Sequence, residues 1–323
     1  MRRQQPGHII TNNKVGKKII LAGGSGFTGK AVVDHFHGAD AEFVVLGRSA
    51  STGLNSMSKR VRRLQWDGIH VGGWALEFEG ADAVINLAGK SVDCRYTGKN
   101  RKEILRSRLD ATTCIGKAIR QCKNPPKVWI NAASATIYRH AEDRPMDETT
   151  GEIGKGFSVE VCKAWEKTFG EEETPGTRKA LLRMAIVLGK NGGVMKPLST
   201  LVRFGLGGKM GNGKQYFSWI HEKDLVKMIA WIMENERAEG VFNCSAPGPV
   251  PNATLMRLLR KHCGIPFGLA QPRWMLEFGA WLIGTETELI LKSRYVLPQR
   301  ATEMGFRFEF EELDKALEDL LKK

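Results

Sequence analysis

The segment Gly23-Gly24-Ser25-Gly26-Phe27-Thr28-Gly29 stands between an apolar run, 18–22 (KIILA), and a helical pattern over 27–37. That position limits what the chain can fold into. A strand that turns at once into a helix needs glycine where the turn tightens, where a ligand meets the backbone, and where helix and strand touch. Gly23, Gly26 and Gly29 have the spacing for these roles. The helix start behind them offers unpaired N–H groups and a positive dipole end to a pyrophosphate. Ser25, Phe27 and Thr28 lie in the same turn and are expected beside the ligand. The run from Gly24 to Lys30 also fits GxxxxGK, the beginning of an NTP-binding loop. Its next residue is Ala31, which has no hydroxyl for Mg²⁺, so an NTPase is not expected.

Alternation of strand and helix continues through the first half. The segments 42–47 (EFVVLG), 61–66, 82–87 (DAVINL), 127–132 (KVWINA) and 178–184 read as strands, with a long polar helix over 98–122 and an amphipathic helix over 157–169. This order implies a Rossmann α/β fold, a doubly wound parallel sheet covered by helices on both faces. Past residue 188 come glycine-rich loops, more helices, an alternating apolar segment over 306–310 and a closing helix over 311–321. The expected division is a disordered basic tail over 1–17, an NADP-binding Rossmann domain over 18–188, and a smaller mixed α/β C-terminal lobe over 189–323. The lobe would carry substrate contacts, while 221–246 returns to the sheet.

The second strand ends Gly47-Arg48-Ser49. An NAD site usually has Asp or Glu about 20 residues past the glycines, on the ribose hydroxyls. Arg48 suits a 2′-phosphate instead, through charge-assisted hydrogen bonds, which favours NADP(H) over NAD(H). The net charge of +14 concentrates at 59–63 and 95–108 without a nucleic-acid-binding motif. A basic surface near an anionic cofactor or substrate accounts for it, and nucleic acid is not the expected partner. The six cysteines are scattered without a CxxC, so neither a disulfide framework nor a metal site is expected. No run of about 18 apolar residues exists, so no membrane association is expected and the expected location is cytoplasmic.

Three motifs together, Gly23-x-x-Gly26-x-x-Gly29, Asn86-Leu87-Ala88-Gly89 and Ser134-Ala-Thr136-Ile-Tyr138, resemble those of the extended short-chain dehydrogenase/reductases. The match is closer to their atypical "epimerase family" branch, sometimes described as nucleoside-diphosphate-sugar epimerases. Segments typical of it are DAVINLAGKSV, GFSVEVCKAWE, GLGGKMGNGKQYFSWIHEKDLV and VLPQRATEMGFRFEF, spread from about Lys18 to Leu321. The resemblance implies that Asp67 lies by the adenine and that Asn86, Leu87, Ala88 and Gly89 line the cofactor. It also implies a catalytic serine at Ser134 and a lysine at Lys163, which would bind the nicotinamide ribose. The tyrosine expected four residues before that lysine is replaced by Val159. Tyr138 is a substitute acid or a structural residue, and His221 with Asp224 reads as a structural device rather than a catalytic pair. Arg106 and Arg108 face the cleft or solvent, which leaves an anionic substrate open.

The expected function is an NADP(H)-dependent oxidoreductase or epimerase-like enzyme acting on an unidentified carbonyl or hydroxyl compound. Ser134 would polarise the carbonyl, with the proton from water, Tyr138 or the substrate. The alternative is a cofactor-binding regulatory or scaffold protein without turnover. The oligomeric state is open, a homodimer included.

Overall fold

The computed structural model describes residues 16–36, 40–49, 60–190 and 192–322. Residues 1–15 of the basic tail, His37 at the expected end of the first helix, and Lys59 of the basic cluster lie outside them. Strand β1 (Lys17–Ala22) is followed by α1 (Phe27–His35), β2 (Ala41–Gly47), β3 (Val61–Gln65) and β4 (Ala83–Asn86). Then come α2 (Gly98–Arg120), β5 (Val128–Ser134), α3 (Phe157–Glu171) and β6 (Arg178–Met184). The remainder comprises β7 (Ile186–Gly189), β8 (Gly192–Gly193), α4 (Met195–Arg203), β9 (Tyr216–Phe217), β10 (Trp219–His221), α5 (Glu222–Glu234) and β11 (Gly240–Cys244). It closes with β12 (Val250–Pro251), α6 (Asn252–Cys263), α7 (Arg273–Ile283), α8 (Glu288–Leu291), α9 (Gln299–Glu303) and α10 (Leu313–Leu321).

The main sheet has seven strands in the order β11-β6-β5-β4-β1-β2-β3, all parallel. This is the Rossmann architecture. Alternate side chains of β1 enter opposite layers, as the strand period requires. Ile19 and Leu21 meet α1 and α5, whereas Ile20 and Ala22 meet α2. Both faces are thus buried, which explains why the strand reads as an unbroken apolar run. Strand order reverses at β1, between β2 and β4, and the crevice outside the strand ends there is where such sheets bind ligands.

A separate core made by α4, α6, α7 and α10 holds the C-terminal lobe together. The alternating segment 306–310 forms no strand. Its backbone is held by a side chain instead: the N–H groups of Glu309 and Phe310 donate to the two carboxylate oxygens of Asp224 at 2.8 and 2.9 Å. Asp224 is fully buried, so these bonds supply the partners that a buried carboxylate requires.

Candidate functional site

The three glycines of the turn are constrained differently. Gly23 has φ +80°, and a Cβ there would lie 2.8 Å from the Leu87 carbonyl carbon. A Cβ on Gly29 would lie 2.5 Å from Gly24 Cα, so helix and turn can close only with glycine here. Gly26 meets nothing nearer than 3.5 Å and leaves the approach to the backbone open. Gly26 also caps α1 without a side-chain hydrogen bond, so the first-turn N–H groups remain available to a phosphate. Thr28 is half-buried on that first turn. The Phe27 ring packs under the β7–β8 hairpin, where a Cβ on Gly189 or Gly192 would stand 2.3 Å from it. Its side chain therefore joins sheet to lobe, leaving its backbone to the turn.

Arg48 stands between two cavities. One, of about 150 Å³, is lined by Ser25, Val45, Gly47, Arg48, Ser49 and Arg63. The other, of about 460 Å³, is walled by Arg48, Gln65, Trp66, Asp67, His70 and Trp74, among others. Arg63 arrives because β2 and β3 pair with Val45 opposite Arg63. Partial burial lowers the Arg63 pKa, but a guanidinium stays charged. Two cations thus border one small cavity beside the glycine turn. Asp67 lies on the larger cavity, with its carboxylate committed locally. Oδ1 accepts from Ile69 N and His70 N at 2.8 and 2.9 Å, and Oδ2 is 2.6 Å from His70 Nδ1. Those bonds, led by the one from His70 N, hold the carboxyl far below the usual carboxylate range.

A third cavity, of about 340 Å³, opens at the ends of β4, β5 and β6. Leu87, Ala88 and Gly89 form one side, and Ala132, Ala133 and Ser134 another. The α3 helix contributes Phe157, Ser158, Val161, Cys162 and Trp165. Arg108 closes the inner end. Its guanidinium lies 5.1 Å from the Trp165 ring centre and donates to the carbonyls of Lys90 and Ile104. Arg106, by contrast, faces solvent near Asp110. Ser134 Oγ accepts from Thr136 N at 3.2 Å, which fixes the hydroxyl at the cavity wall. Burial pushes the Cys162 thiol up to about 11, so it is a neutral wall group.

The epimerase/dehydratase family model, described as "NAD dependent epimerase/dehydratase family", matches residues 19–245, and a second, "Domain of unknown function (DUF1731)", matches 271–320. The chain belongs to the NAD dependent epimerase/dehydratase family. An "Epimerase family protein" of Staphylococcus aureus (strain MRSA252) is 28% identical over 313 residues, covering 95% of this chain and 100% of its own length. The human epimerase family protein SDR39U1, solved with NADPH, is 27% identical with a TM-score of 0.84, over 95% of this chain and 99% of that one. A UDP-N-acetylglucosamine 4-epimerase from Bacillus cereus shares the fold at 17% identity, with a TM-score of 0.71 over 95% and 98% of the two chains.

Against the family's tyrosine and lysine pair this chain departs in more than the missing phenol. Val159 is fully buried in the core beneath α3. Lys163, expected to hold the ribose, does not reach the cavity: it is exposed and lies 3.1 Å from Glu160. The helix period explains this placement. Ser158, Val161, Cys162 and Trp165 share the face toward the cavity, and a residue five after Ser158 is rotated off it. Tyr138, left open as a substitute acid or a structural residue, is also absent from the cavity lining. It is fully buried, its phenol oxygen 2.9 Å from both Asp147 O and Asn243 Oδ1, and it accepts from Arg183 Nη1 at 2.8 Å. Burial raises its pKa further. Asn86, too, is turned inward. It donates to Asn131 Oδ1 at 2.7 Å and accepts from Ala88 N at 3.1 Å, which shapes the turn that Leu87, Ala88 and Gly89 present to the cavity.

Two residues escape a reading of the chain alone. Arg63 is one. The other is Tyr96, which lines the cavity from the loop before α2, edge-on to Phe157 at 5.0 Å and sharing the wall with Ser158. A tyrosine in a polar loop just past the fourth strand was the available signal. His221 lies outside the cavity, fully buried and stacked on Phe310 at 3.9 Å, and its Nδ1 accepts from Lys223 N to cap α5.

Proposed function

We propose that the protein is an NADP(H)-dependent oxidoreductase acting on a carbonyl or alcohol. The observation that carries the reading is the pairing of Arg48 with Arg63 on a cavity that also includes Ser25 of the glycine turn. A 2′-phosphate suits such donors, whereas the ribose hydroxyls of NAD(H) call for a carboxylate. The fit extends along the cleft. Gly23, Gly26, Thr28 and Gly29 would hold the pyrophosphate, Asp67 would border the adenine with its neighbours Trp66 and Trp74, and Leu87, Ala88 and Gly89 would border the nicotinamide end. The human relative solved with NADPH supports the same cofactor. When bound, the cofactor supplies or takes up the hydride.

The chain's own contribution is polarisation and proton supply. Ser134 hydrogen-bonds the substrate oxygen, and Tyr96 brings to the same cavity the phenol that α3 lacks. The cleft is lined mainly by apolar side chains, as small-molecule sites usually are. Incubation with stereospecifically deuterated NADPH and a panel of ketones and aldehydes tests this directly, with label expected in the alcohol product. A second reading, a non-catalytic NADP(H)-binding protein, is favoured by one observation: no family tyrosine or lysine of α3 faces the cavity. Intact NADPH binding with no label transfer to any carbonyl would establish that second reading and refute the first.

A further inference from the structure

The C-terminal lobe carries an apolar face that the cleft does not use. On α7, Leu276 and Ala280 turn into the lobe core, while Trp274, Phe278, Trp281 and Leu282 turn outward. Trp274 is 69% exposed and Trp281 63% exposed. The segment leading into α7 adds Phe267 and Leu269, and the neighbouring loop adds Phe204, 79% exposed. These two segments are stitched together: Leu269 N donates to Gly205 O, Gly208 N to Leu269 O, and Gln271 N to Lys209 O. A set of five aromatic and two leucine side chains at such exposure amounts to roughly 700 Å², larger than the 300–600 Å² typical of the largest patch on a monomer.

Most of the charge around this face is basic, and its acids, Glu277 on α7 and Asp314 on α10, are each held in an ion pair. Residues 174–221 and 240–276 contain no Asp or Glu. Lys196, Arg203, Lys209 and Arg257 of these stretches are exposed, and none has a carboxylate partner among the described residues. The two nearby cations that are matched are Lys261, by Asp314, and Arg273, by Glu277. A second copy of the chain pairing through the same face would set this basic rim against itself. An anionic lipid surface meets both requirements, taking the tryptophans and phenylalanines at its interface and the lysines and arginines at its headgroups.

We propose that this face docks the protein on an anionic bilayer as a peripheral, interfacial contact. No helix among the described residues is long and apolar enough to cross a membrane, and docking requires none. The face adjoins the cleft, because the turn after α7 holds the loop that walls the cavity. Arg95 donates to Thr285 O, Thr285 donates to Asp93, and Tyr96 N donates to Glu286 Oε1 at 2.7 Å.

The test is flotation of the full chain with vesicles of phosphatidylcholine alone and of phosphatidylcholine mixed with phosphatidylglycerol. Co-flotation is expected only with the anionic vesicles. Two variants, Trp274→Ser with Trp281→Ser, and Arg203→Glu with Lys209→Glu, should each lower bound protein by roughly tenfold or more. Circular dichroism should show both still folded, since all four positions are exposed. Absence of flotation with anionic vesicles would overturn the proposal, as would flotation that both folded variants retain, because the basic tail would then be responsible. A dimer in analytical ultracentrifugation that the tryptophan variant dissociates would also overturn it, assigning the face to a second copy.

Discussion

Ser158 Oγ donates to Glu288 Oε2 across the mouth of the cleft, over 3.1 Å. The serine belongs to a helix packed on the parallel sheet and the glutamate to the lobe, so the bond couples the two at the cavity that Tyr96 also lines. Replacing Glu288 by Ala is expected to lower stability by about 1 kcal/mol, the usual net value of one partly exposed hydrogen bond. The same change should weaken substrate-dependent turnover while leaving NADPH affinity within twofold, because Glu288 is remote from the glycine turn. Urea denaturation and fluorescence titration measure the two effects, and a large loss of NADPH affinity would contradict this division of roles.

Lys163→Ala should leave NADPH affinity and stability almost unchanged. The side chain is exposed, and its pairing with Glu160 is a surface contact of the kind worth well under 1 kcal/mol. A tenfold or greater loss of affinity in this variant would show that the lysine turns into the cleft after all.

Tyr138→Phe is expected to act on the fold. The buried phenol oxygen bridges Asp147, Asn243 and Arg183, and removing it leaves buried groups short of partners at a cost of about 1–3 kcal/mol. Thermal unfolding should register the loss, with label transfer from NADPH retained once the protein is folded. Selective loss of transfer without loss of stability would restore Tyr138 as a chemical group.

Burial lowers the His221 pKa from 6.5 to about 4 in the folded protein. The folded state therefore holds the ring neutral, whereas the unfolded chain takes up a proton below pH 6.5. Stability from this group is complete above pH 6.5, falls as the pH drops toward 4, and changes no further below that. The full effect is roughly 3 kcal/mol by linkage. His221→Asn keeps an acceptor for the Lys223 N–H and should flatten the profile between pH 4 and 6.5 in urea titrations. An unchanged slope would remove His221 from the account.

What could be read from the chain was local. The glycine turn follows an apolar strand and precedes a helix within a dozen residues, and its geometry depends on little else. The position of Arg48, at the end of a strand, was readable for the same reason. The approach of Arg63 to it was not, because that depends on the pairing of β2 with β3, a long-range fact. The outward placement of Lys163 was not readable, because the resemblance sets its position along α3 but not the rotation of that helix on the sheet. Tyr96 sits in a loop without periodicity, and its approach to Ser158 depends on how the lobe folds over the cleft. The segment 306–310 alternates like a strand, yet the Asp224 carboxylate occupies its N–H groups first.

On the proposed reading, Arg48 and Arg63 together select the 2′-phosphate. Affinities for NADPH and NADH, measured by fluorescence titration of the wild-type chain, Arg48→Ala, Arg63→Ala and the double variant, test it most directly. NADPH should bind at least tenfold more tightly than NADH to the wild type, each single variant should lose about 1–3 kcal/mol for NADPH alone, and the double variant should bind the two cofactors equally. Equal wild-type affinities, or a preference for NADPH that survives in the double variant, would contradict the account.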